Sequence, residues 1–513
     1  MDPLPDDVLV MAMSLLDVAD LLACRLVCKR LAGLAQHPDV WRHRCIDVGR
    51  LYDTTSCQRL RLAPCALEIS TSVPMEPAAC RHGDLRTTSC ASRGLAIIVR
   101  DCGPEHVATA VQIVKQQVAL GRLRGLSLVL ADRNVLTYGH SVEPSFVLPE
   151  DAADLLFGTL ASTPGLELVS LGGNLGPSAR IPPRTSHLGT ITPSLKTFRC
   201  DLVPRPEPFC DYMLAGHAAT LEVVHIGYRH VALSSEPLAS TSTARLLAGM
   251  PNLHKLSCPL MPGLEALAAS ASLMELEFTV RRVTEANGHG ALELLRRALQ
   301  IRSLHLYFPR PRRITDDDEV DDSEFGVELI GELASSGRSQ VETLSIYVDD
   351  SYSQTLLVPQ LAARLPSLPA LRRLVLRLED PEPLVDAISP LTAPSLRRID
   401  ILDDVSPSSM CSHDFLHSSE LGALLSRNPL LHVVLEYTTE GCSIFQDDED
   451  EEYLIEEKCD ACLLNCHKDL EVPDGMDGLF VGVFAHPSGK CPSPEDHDSD
   501  WIWIDINDVQ PVY

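Results

Sequence analysis

An apolar residue, two variable residues, a second apolar residue, one variable residue and a third apolar residue recur eleven times between residues 123 and 435 of this chain. Leu123/Leu126/Leu128, Leu166/Val169/Leu171, Ile301/Leu304/Leu306 and Leu430/Val433/Leu435 are examples. Alternation over the last part of each unit predicts a short strand with one buried face. Ahead of most of these strands lies an apolar stretch at helical spacing, as in "VATAVQIVKQQVAL", "DAADLLFGTL" and "ALELLRRAL". A single helix–strand unit cannot bury its own stripe, so neighbours must stack, giving a parallel sheet inside and helices outside. An ordinary α/β fold with chance leucine spacing competes, but the repeated order of strand after helix disfavours it.

This pattern resembles the leucine-rich repeat family over roughly residues 95–440. One copy, "LELVSLGGN", carries the family's asparagine as Asn174, whose amide is expected to satisfy backbone groups at the turn after the strand. The other copies lack it, so the match is to a degenerate form of the repeat.

Ahead of the repeats, residues 4–44 read differently. Leu4-Pro5, Asp7-Val8-Leu9, Leu15-Leu16-Asp17, Asp20-Leu21, Leu26-Val27-Cys28-Lys29-Arg30, Leu34 and Val40-Trp41 follow one another in that order. Pro5 suits a helix start, where no amide bond is lost, and Asp20 is expected to cap the helix that follows it. The order is similar to the F-box family, with departures at Ala12, Val18 and Leu31, where Ile, Pro and an aromatic are usual. A helical module this small commonly depends on a partner for apolar cover. The resemblance implies that the partner is the Skp-type adaptor of a cullin ubiquitin ligase. It also implies that Leu4, Pro5, Leu9, Leu16, Leu21, Val27 and Trp41 form that contact or the helices presenting it. A plain helical hairpin capping the repeats would need apolar helices but not this residue order.

The fold class expected is therefore α/β: a three-helix F-box at residues 1–46 followed by a leucine-rich-repeat solenoid at 95–440. Residues 47–94 are a linker or degenerate first repeats, and 441–513 an acidic C-terminal cap or tail in which "GLFVGVFA" and "WIWIDI" supply strands. Aromatic residues make up only 5% of the chain, so its core must rest on aliphatic side chains.

Net charge is −28, and the last 73 residues hold three basic against 19 acidic side chains, more than half of the excess. Nucleic acid is an improbable partner for such a chain, because phosphates demand clustered Lys and Arg. Seventeen cysteines without a repeated spacing suit a reducing compartment, and the acidic residues breaking the first apolar stretch do not suit a secretory signal. Cytoplasm or nucleus is the expected location. No apolar run reaches the length of a membrane span.

Cys459, Cys462, Cys466 and His467, with His486 and Cys491 downstream, could hold zinc. Ile455, Cys459, Cys462 and Cys466 also follow helical spacing, and no second Cys-X-X-Cys completes a set, so the amphipathic-helix reading is preferred and neither metal nor cofactor is assigned. The runs Asp316–Glu319 and Asp447–Glu452 read as solvated insertions, or as an acidic surface for a basic partner. "HPSGK" and "GGNLG" fail the phosphate-loop and dinucleotide patterns, and no hydrolase, metalloprotease or kinase signature is present.

The chain is thus expected to be a non-catalytic substrate-recognition subunit of a Skp–cullin–F-box ubiquitin ligase, binding a protein substrate for degradation. Variable strand positions on the inner face, among them Arg199, His225, Glu277, His305 and Asp400, are the candidate substrate contacts. Competing readings are a scaffold or an enzyme inhibitor unconnected with ubiquitin transfer, or binding through loops or the acidic end.

Overall fold

The computed structural model describes residues 4–48, 59–73, 84–100, 103–131, 148–174, 191–203, 205–227, 241–281, 283–309, 323–335, 337, 339–348, 351–378, 381–402, 415–437, 443–448, 451–456, 479–487, 491, 494, 497 and 501–509. They fall into two compact units, residues 1–235 with 249–253, and residues 236–248 with 254–513.

The first unit opens with four helices: α1 Asp6–Leu15, α2 Val18–Val27, α3 Lys29–Leu34 and α4 Pro38–Trp41. Pro5 takes the N-cap position before α1, where its missing amide costs no helical bond while its carbonyl accepts from the Leu9 amide at 3.2 Å. The cap of α2 is Asp17, which accepts the Asp20 amide at 2.7 Å, and not Asp20. Asp20 lies in the first turn instead, where a negative charge favours the positive end of the helix dipole.

Seven strands follow: β1 Cys45–Asp47, β2 Cys65–Val73, β3 Ala91–Arg100, β4 Gly125–Ala131, β5 Leu168–Asn174, β6 Thr197–Val203 and β7 Val223–Ile226. Each pairs parallel with the next. The helices Pro104–Ala119, Glu150–Ser162 and Glu207–His217 run between them. Parallel pairing therefore begins at Cys45, well before the leucine pattern. The described part of residues 47–94 includes β2 and the start of β3.

In the second unit β8 Lys255–Pro259, β9 Glu275–Thr279, β10 Ser303–Phe308, β11 Thr343–Val348, β12 Arg373–Arg377, β13 Arg398–Leu402 and β14 His432–Tyr437 are likewise parallel, each to the next. Helical segments connect most of them, including Glu285–Arg297, Ser323–Ser335, Ser351–Arg364 and Ser419–Arg427. An antiparallel hairpin, β15 Ser443–Asp448 with β16 Glu451–Glu456, stands apart as a second sheet. β17 Leu479–Phe484 then pairs antiparallel with β14, and β18 Ile502–Asp505 pairs parallel with β17. Among the described residues no helix is long and apolar enough to cross a membrane.

The leucine pattern maps onto the core. All apolar positions of the eleven units are buried except Ile401, which is half-buried, and Leu430, which is exposed while Leu431 turns inward. Burying one such side chain contributes about 1.5–3 kcal/mol, so the stack is held mainly by these rows. Polar side chains ahead of several strands tie a repeat to the one before it. Ser194 Oγ donates to the Leu166 carbonyl at 2.8 Å, Thr220 Oγ1 to Leu195 at 2.8 Å, Asn252 Nδ2 to Ala219 at 2.8 Å and Ser395 Oγ to Pro369 at 2.6 Å. The side chain of Asn174 lies outside the described residues.

One expectation for the acidic end changes. Ile455 belongs to β16, in register with Ile444, so it does not start a helical stripe. Asp447, Asp448, Glu451 and Glu452 belong to the hairpin, where Asp447 pairs with Glu452 and Asp448 with Glu451. Asp316–Glu319, Cys459, Cys462, Cys466 and His467 lie outside the described residues.

Candidate functional site

The front module divides its apolar residues between two jobs. Leu21 and Trp41 are fully buried, and the Trp41 indole donates to the Ala35 carbonyl at 2.7 Å, so both build the module. Met13, Ala35 and Val40 are buried with them. Arg44 holds the assembly from beneath: its guanidinium donates to the carbonyls of Met13, Ser14 and Leu16 at the end of α1, and to Val40 in α4. A cation suits the negative end of a helix dipole. Burial draws the Arg44 pKa below its usual value, while Asp17 acts in the opposite direction. At the other end Arg30 pairs with Asp6 at 2.6 Å and reaches the Leu4 carbonyl, fixing the start of α1 against α3. α4 packs on β2, which joins the module to the first strands.

Several apolar residues remain outside. Leu4 is 59% exposed, Met11 62%, Val27 71%, Leu15 85% and Leu26 89%. Pro5 is exposed as well, and Leu9 and Leu16 are half-buried. Val8, Met11 and Leu15 recur at i, i+3 and i+7 and so share one face of α1. Concentrated apolar exposure of this kind marks an interaction surface, whereas single exposed leucines such as Leu391 do not. Val8, Leu15 and Leu26 stand in the residue order quoted above but were not named as adaptor contacts, and Met11 was not named at all, although the spacing of Val8, Met11 and Leu15 carries the signal.

On the strands, the variable positions fall into register as rows. Ser127, Ser170, Arg199 and His225 are successive partners in the first unit. Ser257, Glu277, His305, Ser345, Val375 and Asp400 are successive partners in the second. Arg199 is exposed, and on the same unit's strands Ile98 and Val129 are paired neighbours that are also exposed. His225 Nε2 lies 2.9 Å from Asp201 Oδ1 in a half-buried pair.

The second row is mostly not an open strip. Ser257, Glu277, Ser345, Val375 and Asp400 are all buried. Asp400 is held by Arg373 Nε on one side and by Arg398 Nε at 2.6 Å on the other. His305 Nε2 stands 3.5 Å from Glu275, which also pairs with Lys255. The two arginines neutralise Asp400; Glu277 is buried as well, while His305 is part-buried.

Of the tail residues named as possible ligands, His486 and Cys491 are described. They converge with His432 and His497, neither of which the sequence had suggested, in a group whose ligand atoms lie within 4.8 Å of one another.

Comparison with known proteins gives two results. Residues 1–47 match the family model described as F-box-like. Among solved structures, the leucine-rich repeat-containing protein LegL7 from Legionella pneumophila is similar at 12% identity, with a TM-score of 0.32, over 75% of this chain and 97% of that one. No curated protein matches. The repeat assignment rests on the parallel ladders and buried leucine rows themselves. Residues 1–47 are an F-box-like domain, and the strands behind it form parallel repeats of the leucine-rich type.

Proposed function

We propose that this chain is the substrate-recognition subunit of a Skp–cullin–F-box ubiquitin ligase and performs no bond chemistry of its own. The observation that carries this reading is the exposed apolar set Leu4, Met11, Leu15, Leu26 and Val27 on an F-box-like domain whose own core is already closed by Leu21 and Trp41. Such a surface gains from cover by a second polypeptide, here a Skp-type adaptor and through it a cullin. The repeats then hold a protein substrate beside the ubiquitin-charged enzyme, raising the effective concentration of its lysines. Within the repeats, the exposed strand residues Ile98, Val129 and Arg199 offer the mixture of apolar and cationic contacts suited to a protein surface. Arg199 is the contact we favour of those first named; Asp400 acts in holding the sheet, and Glu277 is buried. Free thiols such as Cys28 and Cys45 on the surface suit the reducing cytoplasm or nucleus.

The test is co-purification of the full chain with a Skp-type adaptor. Leu26→Asp and Val27→Asp should abolish capture, and Leu391→Asp, on an equally exposed leucine of the repeats, should leave it intact. A wild-type chain that captures no adaptor, or front-module variants that still do, would overturn the reading. Proteins that accumulate in complex with the adaptor-blind variant in cells would be the substrates.

A further inference from the structure

We infer that the end of the repeats holds a structural zinc ion, bound by His432, His486, Cys491 and His497. The four residues come from separate places. His432 opens β14, His486 follows β17 by two residues, and Cys491 and His497 lie on the connection from β17 to β18. His432 and His497 are 65 positions apart, yet their Nε2 atoms stand 3.2 Å from one another. His432 Nε2 also lies 3.1 Å from His486 Nε2 and 3.4 Å from Cys491 Sγ, and Cys491 Sγ lies 3.2 Å from His497 Nε2.

Hydrogen bonding does not account for this geometry. An imidazole nitrogen has one in-plane site, which carries either a proton or a lone pair. His432 Nε2 nevertheless has three heavy-atom neighbours within bonding distance, one a thiol and two the same atom of other imidazoles. One such contact is a hydrogen bond; three at once are not. Convergence on a shared centre accounts for all of them. Zn–N bonds of about 2.0–2.1 Å and a Zn–S bond of about 2.3 Å, set tetrahedrally, place nitrogens about 3.3 Å apart and nitrogen about 3.5 Å from sulfur. The four contacts to His432 and between Cys491 and His497 fall just inside those values, and all the ligand atoms lie within 4.8 Å of one another.

The surroundings agree with a structural site. His432 and His486 are buried, and Cys491 and His497 are half-buried, so four protein ligands close the coordination sphere and leave no position for a substrate. Three imidazoles and one thiolate gathered within 4.8 Å favour zinc over cations that prefer oxygen ligands. His486 Nδ1 lies 3.4 Å from the Pro487 carbonyl, a partner that holds the ring proton on Nδ1 and turns the Nε2 lone pair to the centre. Aromatic rings fix the other planes: Trp503 stacks on His497 with centroids 4.0 Å apart, and Phe484 stacks on His486 at 4.6 Å. Gly482 makes room for this wall, since a Cβ there would lie 2.4 Å from the Trp503 ring. In the register row Ser303, Thr343, Arg373, Arg398 and His432, the last is the only imidazole, and it sits where β17 and β18 close over the final repeat. The ion would pin the closing strands to β14.

Zinc content and cobalt substitution of the purified full chain test this. The wild-type chain should retain close to one equivalent of zinc through dialysis. Its cobalt form should show the intense visible bands of a tetrahedral site together with a single-thiolate charge-transfer band. Cys491→Ser should lose the charge-transfer band, and His497→Ala should lose the retained zinc. A wild-type chain without zinc that yields no such cobalt spectrum overturns the inference, as does unchanged zinc content in the Cys491→Ser/His497→Ala double variant. Should the double variant prove insoluble, the wild-type cobalt spectrum decides: one sulfur supports the site, and a sulfur-rich spectrum refutes it.

Discussion

Arg44 donates from Nη2 to the carbonyl of Leu16 at 2.6 Å, capping the end of α1 from 28 positions further along the chain. The same group holds Met13, Ser14 and Val40, so one guanidinium ties the first helix to the last of the front module. Arg44→Ala should therefore destabilise the module by about 1.5–3 kcal/mol, the usual worth of hydrogen bonds from a charged group. Limited proteolysis of the full chain should cut the first forty residues sooner in the variant. An unchanged digestion pattern would show that the carbonyls find other partners.

Cys28 is exposed between Val27 and Lys29, whereas burial pushes the Cys90 thiol up to about 12. Since the thiolate is the reactive form, maleimide should label Cys28 in the native chain and spare Cys90. Adaptor bound over Val27 should protect Cys28. Peptide mass spectrometry with and without adaptor reads both effects, and equal labelling would place the contact elsewhere.

Asp400→Ala should be far more damaging than its size suggests. It leaves Arg398, which is almost fully buried, without its carboxylate, and removing one partner of a buried pair costs about 3–5 kcal/mol. A lower urea midpoint is the expected readout, with Asp400→Asn intermediate. If instead Asp400→Ala unfolds like wild type while substrate binding fails, the residue is a contact and not a clamp.

His217 gives the repeats a pH dependence. Its Nδ1 accepts from the amides of Ser194 at 3.2 Å and Leu195 at 3.3 Å, and burial lowers its pKa. The unfolded chain takes up this proton near pH ~6.5. The folded chain takes it up only at lower pH. Stability from this residue is thus complete above the unfolded value and declines as pH falls toward the folded one, by at most about 1.4 kcal/mol per pH unit. Urea midpoints measured from pH 7.5 downwards should fall less steeply in His217→Asn, and superimposable acid limbs would refute the assignment.

Gly482→Ala should displace Trp503 from its seat, because the added methyl meets the indole ring. Reduced tryptophan fluorescence anisotropy and a lower thermal midpoint are expected. An unchanged spectrum would mean that the ring has room to move.

Much of this was legible in the sequence where it is periodic. Strands β4 to β14 declare themselves because one residue type must fill the same inward place in each repeat. β2 and β3 lack that spacing and are held by "ALEISTSV" and "LAIIV", runs that could serve many folds. The helix Ser351–Arg364 carries Pro359 inside it, which hides it from a pattern search. Leu430 matches the spacing yet faces solvent, since Leu431 supplies the inward side chain. For the front module, order alone named Leu21 and Trp41 but could not separate builders from presenters; that needed Met11, Leu15 and Leu26 to be seen outside. Asp400 read as a surface acid because two arginines that bury it come from its own strand and the preceding one. His432 and His497 meet through antiparallel pairing of β14 with β17, a long-range event with no local trace.

That reversal of direction at β14 has a further consequence. A parallel edge is an open template on which any similar strand can continue, including one from another molecule. β17 runs the opposite way and ends in β18, a strand of only four residues, so growth stops there. A chain cut at residue 440 would present β14 bare and should polymerise with rising concentration, which sedimentation would reveal; the acidic terminus would then be a guard against fibre formation.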